Sequence, residues 1–226
     1  MGILGGKNSD ERIGNRKARS QEKNVPSHIL NKRADKKLSI ATEQFETVMG
    51  KRFLETKQEM LKRTLYTEGF KYMNDLELQY RNYENRLFSF SYNMDYRTTV
   101  DDPKGIEKDS FCFTVKTTGK LSISGAYWVD NGSRADDEEI EFYLRKLNHP
   151  LIIDRIVATD MGKVEVRHMP SSDSWTISCR TLIGASTWII FPPVLNYVKI
   201  TPEECIKMLE FFELVGKAIT AKPPKR

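Results

Sequence analysis

The hydrophobic pattern of this chain changes period once, near residue 86, and that change divides it. Over residues 38–83, apolar side chains recur at three- and four-residue steps: Leu38, Ala41, Phe45, Val48, Met49, Phe53, then Met60, Leu61 and Leu65. Such spacing lines one face of an α-helix, and ionic residues fill the other, as in EQFETVMGKRFLETKQEMLKR. Gly50 and Gly69 interrupt the run and predict two or three helical pieces.

From residue 86 onward the period is two. Arg86–Tyr96 places Phe88, Phe90, Tyr92, Met94 and Tyr96 on one face and small or polar residues on the other, which predicts a strand. Phe111–Lys116 and Lys120–Trp128 are expected to form a hairpin about Thr117, Thr118 and Gly119. A helix is expected over 136–147, opened by Asp136, Asp137, Glu138 and Glu139, whose charges suit a helix N-terminus. The second half repeats this order. Strands are expected at Leu151–Ala158, Lys163–Met169, Ser174–Leu182 and Thr187–Phe191. A last helix follows, capped by Thr201 with Pro202 at its first position and Glu204 closing a capping box.

Strand-rich halves that each end in a helix predict an α+β fold of antiparallel sheets, each followed by a helix. An N-terminal helical segment and a disordered basic arm precede it. The expected divisions are an arm over 1–37, a helical segment over 38–83, an α+β nucleic-acid-binding domain over 84–220 and a basic tail over 221–226.

Charge sharpens the picture. The net charge is +5, yet the first 37 residues alone hold ten Lys and Arg against four Asp and Glu. The rest of the chain is close to neutral. With few apolar residues and no periodicity, the leader cannot offset the entropy of ordering itself and is expected to be disordered. Its cations, Lys7, Arg12, Arg16, Lys17, Arg19, Lys23, Lys32, Arg33, Lys36 and Lys37, suit a polyanion, because each neutralised phosphate releases counterions.

Catalytic chemistry finds little footing. His28, His149 and His168 have no metal-ligand spacing, and no glycine-rich loop leads into a Lys-Ser or Lys-Thr pair. Asp154 or Asp160 with Glu165 and Lys163 is the one loose nuclease-like set. Cys112, Cys179 and Cys205 lie far apart in apolar stretches and read as buried thiols of a reducing compartment. No apolar run is long enough to cross a membrane, and the Met-Gly start lacks the Ser or Thr that myristoylation wants at the sixth position. The chain is thus expected to be non-enzymatic, cytoplasmic (host cytoplasm if viral), and free of cofactors and metals.

The order of elements over residues 86–220 resembles the Whirly type of single-strand nucleic-acid-binding fold. The likeness is best at Ile200–Val215, where a strand leads through a turn into a capped amphipathic helix. The family has two antiparallel sheets, each followed by a helix, and often assembles through its helices. The resemblance therefore implies a binding function and a homo-oligomer. The plant proteins' Lys-Gly-Lys-Ala stretch has no counterpart here, so no site residue is carried over.

Single-strand binding asks for cations along a groove and aromatic faces on which bases stack. Simple alternation places Lys116, Lys120 and Trp128 on one polar face of the hairpin, and Arg180 on an outward strand face of the second half. The expectation is a non-enzymatic binder of single-stranded nucleic acid, RNA before DNA, with low sequence specificity, protecting or condensing transcripts. The rival is a structural or interaction protein, such as a virion or secretion-apparatus component, whose basic arm ties subunits together.

Overall fold

A computed structural model describes residues 28–86, 89–102, 110–119, 122–168, 174–189 and 194–221. The fold is α+β. Helix α1 (His28–Met49) leads through a short 3-10 turn into strands β1 (Phe53–Glu59), β2 (Lys62–Thr67), β3 (Asp75–Arg86) and β4 (Ser89–Asp101). Then come β5 (Phe111–Thr118), β6 (Gly125–Asp130), α2 (Asp137–Leu147), α3 (Pro150–Ala158), β7 (Met161–His168), β8 (Ser174–Ile189), β9 (Val194–Tyr197) and α4 (Pro202–Ile219).

All nine strands belong to one antiparallel sheet, in the order β1-β2-β3-β4-β8-β7-β5-β6, with β9 paired to the far end of β8. The two sheets expected from the sequence are therefore joined, and β8 is the joint. It pairs with β4 over twelve residue pairs and with β7 over seven. The break expected between Ser174–Leu182 and Thr187–Phe191 lies inside this one long strand.

Alternation sorts the side chains. Leu76, Leu78 and Tyr80 on β3, Tyr92, Met94 and Tyr96 on β4, Val164 and Val166 on β7, and Trp175 and Ile177 on β8 are buried on one face. The helices cover that face, α1 packing on β2, β3 and β8, α4 on β8, and α2 and α3 on β6. Along α1, Ala34, Leu38, Ala41, Phe45 and Met49 are buried at helical spacing. Gly50, at φ 55°, turns the chain out of α1 in the left-handed conformation that favours glycine. At the other end, Thr201 Oγ1 accepts from Glu204 N at 3.2 Å, and Thr201 N donates to Glu204 Oε2 at 2.7 Å, the expected capping box.

Three expectations need correction. The first concerns residues 28–37, which are helical rather than part of an arm, because Ala34 packs in the core and Asp35 pairs with Arg63. The second concerns residues 53–83, where the helical segment gives way to β1, β2 and most of β3. Its apolar spacing arises by coincidence, since Arg63, Leu65 and Thr67 are buried with a period of two. Thirdly, Leu151–Ala158 lies in helix α3. His149 caps α3, its Nδ1 accepting from Leu151 N at 3.3 Å, and Pro150 supplies the first turn.

Candidate anion-binding surfaces

Two surfaces gather cations. One is a row on α1. Lys32, Arg33, Lys36 and Lys37 stand one and four residues apart, which puts them on one side of the helix. Lys32, Arg33 and Lys36 are exposed and Lys37 is half-buried. Among the described residues none of the four has a carboxylate partner; the one acidic residue between them, Asp35, is turned inward to Arg63.

This row sits over aromatic rings. The Arg33 guanidinium lies 4.6 Å from the centre of the Trp188 ring, and Lys37 Nζ lies 5.2 Å from that of Tyr197. Both rings are half-buried at the β8–β9 end of the sheet. Each such contact holds a long, mobile cation in place while leaving its charge in water.

The second surface is the face of the sheet that no described helix covers, the helix-free face. Glu77 on β3, Asp95 and Arg97 on β4, Ser178 and Arg180 on β8, and Lys163, Glu165 and Arg167 on β7 line a depression of about 570 Å³ there. Arg180 is locked to Asp95, Nε to Oδ1 at 2.5 Å and Nη2 to Oδ2 at 2.8 Å, while Arg81 reaches the same carboxylate at 3.0 Å. Arg167 pairs with Glu165 at 3.0 Å and Lys62 with Glu77 at 2.6 Å. A smaller depression beside it, reaching the β5–β6 turn, shares Lys163 and Arg180.

The sequence-predicted site residues divide accordingly. Lys7, Arg12, Arg16, Lys17, Arg19, Lys23 and Lys120 lie outside the described residues. Lys32, Arg33, Lys36 and Lys37 come together on α1. Arg180 faces the open side, as alternation predicts, but spends its guanidinium on Asp95. Lys116 is exposed on the same side.

Among the described site residues, Trp128 is misplaced by face. It is 2 % exposed and lies in the core. A hairpin forms, but not in the expected register: Thr118 pairs with Gly125, so the second strand starts at Gly125 rather than Lys120 and the turn is longer than Thr117, Thr118 and Gly119 alone. That length sets Trp128 opposite Val115 and puts Tyr127, 47 % exposed, opposite Lys116. The aromatic side chain on the open face of the hairpin is therefore Tyr127.

A third cluster is polar and closed. Trp175 Nε1 donates to Asp102 Oδ2 at 3.3 Å, and His168 Nε2 stands 3.9 Å from that oxygen. All three side chains are buried. The Tyr143 ring packs 5.4 Å from that of Trp175, and burial, with Asp102 and Glu139 nearby, raises its hydroxyl well above the usual tyrosine value. The loose nuclease-like set does not assemble around these groups. Asp154 pairs with its neighbour Arg155, Asp160 accepts from Ile123 N at 3.1 Å, and Glu165 pairs with Arg167. Among the described residues, no group of three His, Cys, Asp or Glu side chains is placed to hold a metal.

Residues 45–219 match the family described as "Protein of unknown function (DUF3156)". The chain belongs to this family. The match covers all nine strands and helices α2, α3 and α4, and so the whole helix-free face. It begins within α1, beyond the row of four cations. No significant match is found among curated proteins or among solved structures.

What sequence reading missed is the helix-free face as one surface. Arg97, Arg167, Lys163 and Asp95 come from strands far apart in sequence. The pairing of both β4 and β7 with β8 makes them neighbours. Their signal was present but local, as outward polar positions in alternating runs.

Proposed function

We propose that this protein binds single-stranded nucleic acid, RNA in preference to DNA, without sequence reading and as a binder rather than a catalyst. One observation carries this reading: the four cations of α1 stand in a row over Trp188 and Tyr197, none of them neutralised by a described carboxylate. Phosphates attract such a row, and half-exposed rings beside it offer bases a surface to stack on. The cations Lys7 to Lys23 precede the same helix directly in sequence and extend the positive run. On an oligomer, such repeated contacts would bring many strands together and so protect or condense transcripts.

Fluorescence anisotropy with labelled single-stranded RNA, single-stranded DNA and duplexes, at two salt concentrations, tests the reading. The expected result is tighter binding of single strands that weakens steeply with salt. Absence of binding to every polyanion at low salt would end it.

A second reading rests on a different observation. The outer edge of β1 has no partner among the described strands, and Leu54 and Met60 beside it are each 55 % exposed. Free edges of this kind add strands from other chains, which suits a structural or interaction protein. Protein that purifies as an oligomer free of nucleic acid, with no 260 nm excess removable by nuclease, would favour this second reading.

A further inference from the structure

We propose that the depression on the helix-free face of the sheet is a binding site for a small phosphorylated molecule, held by Arg97 and Lys163. The site lies on the side of the sheet opposite α1 and does not depend on the nucleic-acid reading.

The charge balance comes first. Five cations and three carboxylates line the depression, and every carboxylate is engaged. Asp95 serves Arg180 and Arg81, Glu165 serves Arg167, and Glu77 serves Lys62, which stands outside the depression. Among the described residues, Arg97 and Lys163 have no carboxylate partner. Arg97 makes a weak contact from Nη2 to Thr176 Oγ1 at 3.5 Å.

Register then places these two cations about a common centre. Arg97 pairs with Ser178 of β8, and Lys163 pairs with Arg180 of β8. They therefore flank β8 diagonally, one strand to either side and two residues apart along it, about 12 Å apart. Long side chains can close that gap over Ser178, whose hydroxyl is a donor suited to a phosphate oxygen.

The surroundings decide between a small ligand and a polymer. The ion pairs of Asp95, Glu165 and Glu77 leave no continuous run of free cations for a phosphodiester chain to follow, whereas a single phosphate or diphosphate can sit on the two uncompensated cations. The volume, about 570 Å³, is in the range of small-molecule sites. Arg180, held by both oxygens of Asp95, gives the depression a fixed wall that needs no reordering on binding.

Isothermal titration of the full chain with inorganic pyrophosphate and with ADP, and with adenosine as the uncharged control, tests the site. Saturable binding of pyrophosphate or ADP, and none of adenosine, is expected. Arg97→Ala and Lys163→Ala should each weaken it on the order of tenfold. The double change Lys32→Glu with Lys36→Glu on α1 should leave it unaltered. Arg97 and Lys163 are exposed, so unchanged melting temperatures will show that the variants fold. No saturable binding of either anion, or equal affinity in wild type and both variants, would overturn the proposal. So would loss of RNA binding in Arg97→Ala without any binding of pyrophosphate or ADP. That outcome would make the depression part of a nucleic-acid track and leave the proposed function standing.

Discussion

Arg63 on β2 presents both ends of its guanidinium to the carboxylate of Asp35 on α1, Nη1 to Oδ1 at 3.0 Å and Nη2 to Oδ2 at 2.9 Å. Asp35 Oδ1 also accepts from Leu61 N at 2.8 Å, and Nη1 of Arg63 donates to the carbonyls of Glu59 and Lys62. One buried arginine thus ties the β1–β2 turn to the first helix. Asp35→Ala strands that guanidinium without its counter-ion and should cost about 3 kcal/mol or more. Urea unfolding followed by circular dichroism measures it; a loss below about 1 kcal/mol would show the pair to be dispensable.

The same carboxyl sets an acid response. Burial acts to raise its pKa, but hydrogen bonds from Arg63 and Leu61 N outweigh this and hold it below its ordinary value of 3.8. A carboxyl lowered in the folded state contributes stability that is fully present above 3.8 and is lost as pH falls through the folded value. Unfolding free energy measured from pH 7 down to pH 2 should therefore carry a decline below 3.8 that is absent from Asp35→Asn.

On α1, the double change Lys32→Glu with Lys36→Glu should lower affinity for single-stranded RNA on the order of tenfold or more. It should also flatten the dependence on log salt by about 0.7 for each phosphate that is no longer neutralised. Removal of residues 1–23 should act in the same direction. Truncation must stop short of His28, because Ala34 and Asp35 belong to the folded body. Retained affinity and slope in both forms would separate the nucleic-acid reading from these cations.

Gly216 lies in α4 where the helix passes Tyr72, and a Cβ there would stand 2.4 Å from Tyr72 Cβ. Backbone and ring must both shift to admit it. Gly216→Ala should lose about 1–3 kcal/mol despite its better helix propensity. Thermal unfolding decides, and an unchanged or raised midpoint would contradict the close packing.

Thiol reactivity reads the three cysteines separately. Cys112 is half-buried on the open side of β5, whereas Cys179 and Cys205 are in the core. Burial raises both core thiols, that of Cys205 to about 12 with Glu204 adding to the effect, so neither supplies thiolate near neutral pH. A chromogenic disulfide reagent should modify one thiol per folded chain and three after denaturation; fast reaction of two or more would place a core thiol at the surface.

Legibility in the sequence followed how local the cause was. The alternation of Tyr92, Met94 and Tyr96 and the Thr201–Glu204 cap depend on neighbours only, and both stand where the sequence put them. Leu151–Ala158 is short and rich in β-branched residues, so its apolar run could not distinguish strand from helix, and the deciding signal was His149 followed by Pro150. β1, β2 and the turn between them carry Phe53, Met60, Leu61 and Leu65 where a helix would also want them, and only the pairing of β1 with β2 and of β2 with β3 reveals their true period. β9 is four residues long and exists by pairing with β8. The register of Trp128 depended on a turn length that no residue type announces. The helix-free face was hidden for the most general reason, since it is assembled by pairing between distant strands.

That pairing orders events during synthesis. β4 is complete at Asp101, yet its neighbour β8 is not finished until Ile189. A nascent chain leaving the ribosome therefore carries an open strand edge while the next 88 of its 226 residues are made, a window in which misassociation competes with folding. A stop codon anywhere between the two strands would leave this edge permanently bare, and such fragments would be expected to go to inclusion bodies or proteases rather than persist as half-sized folded proteins.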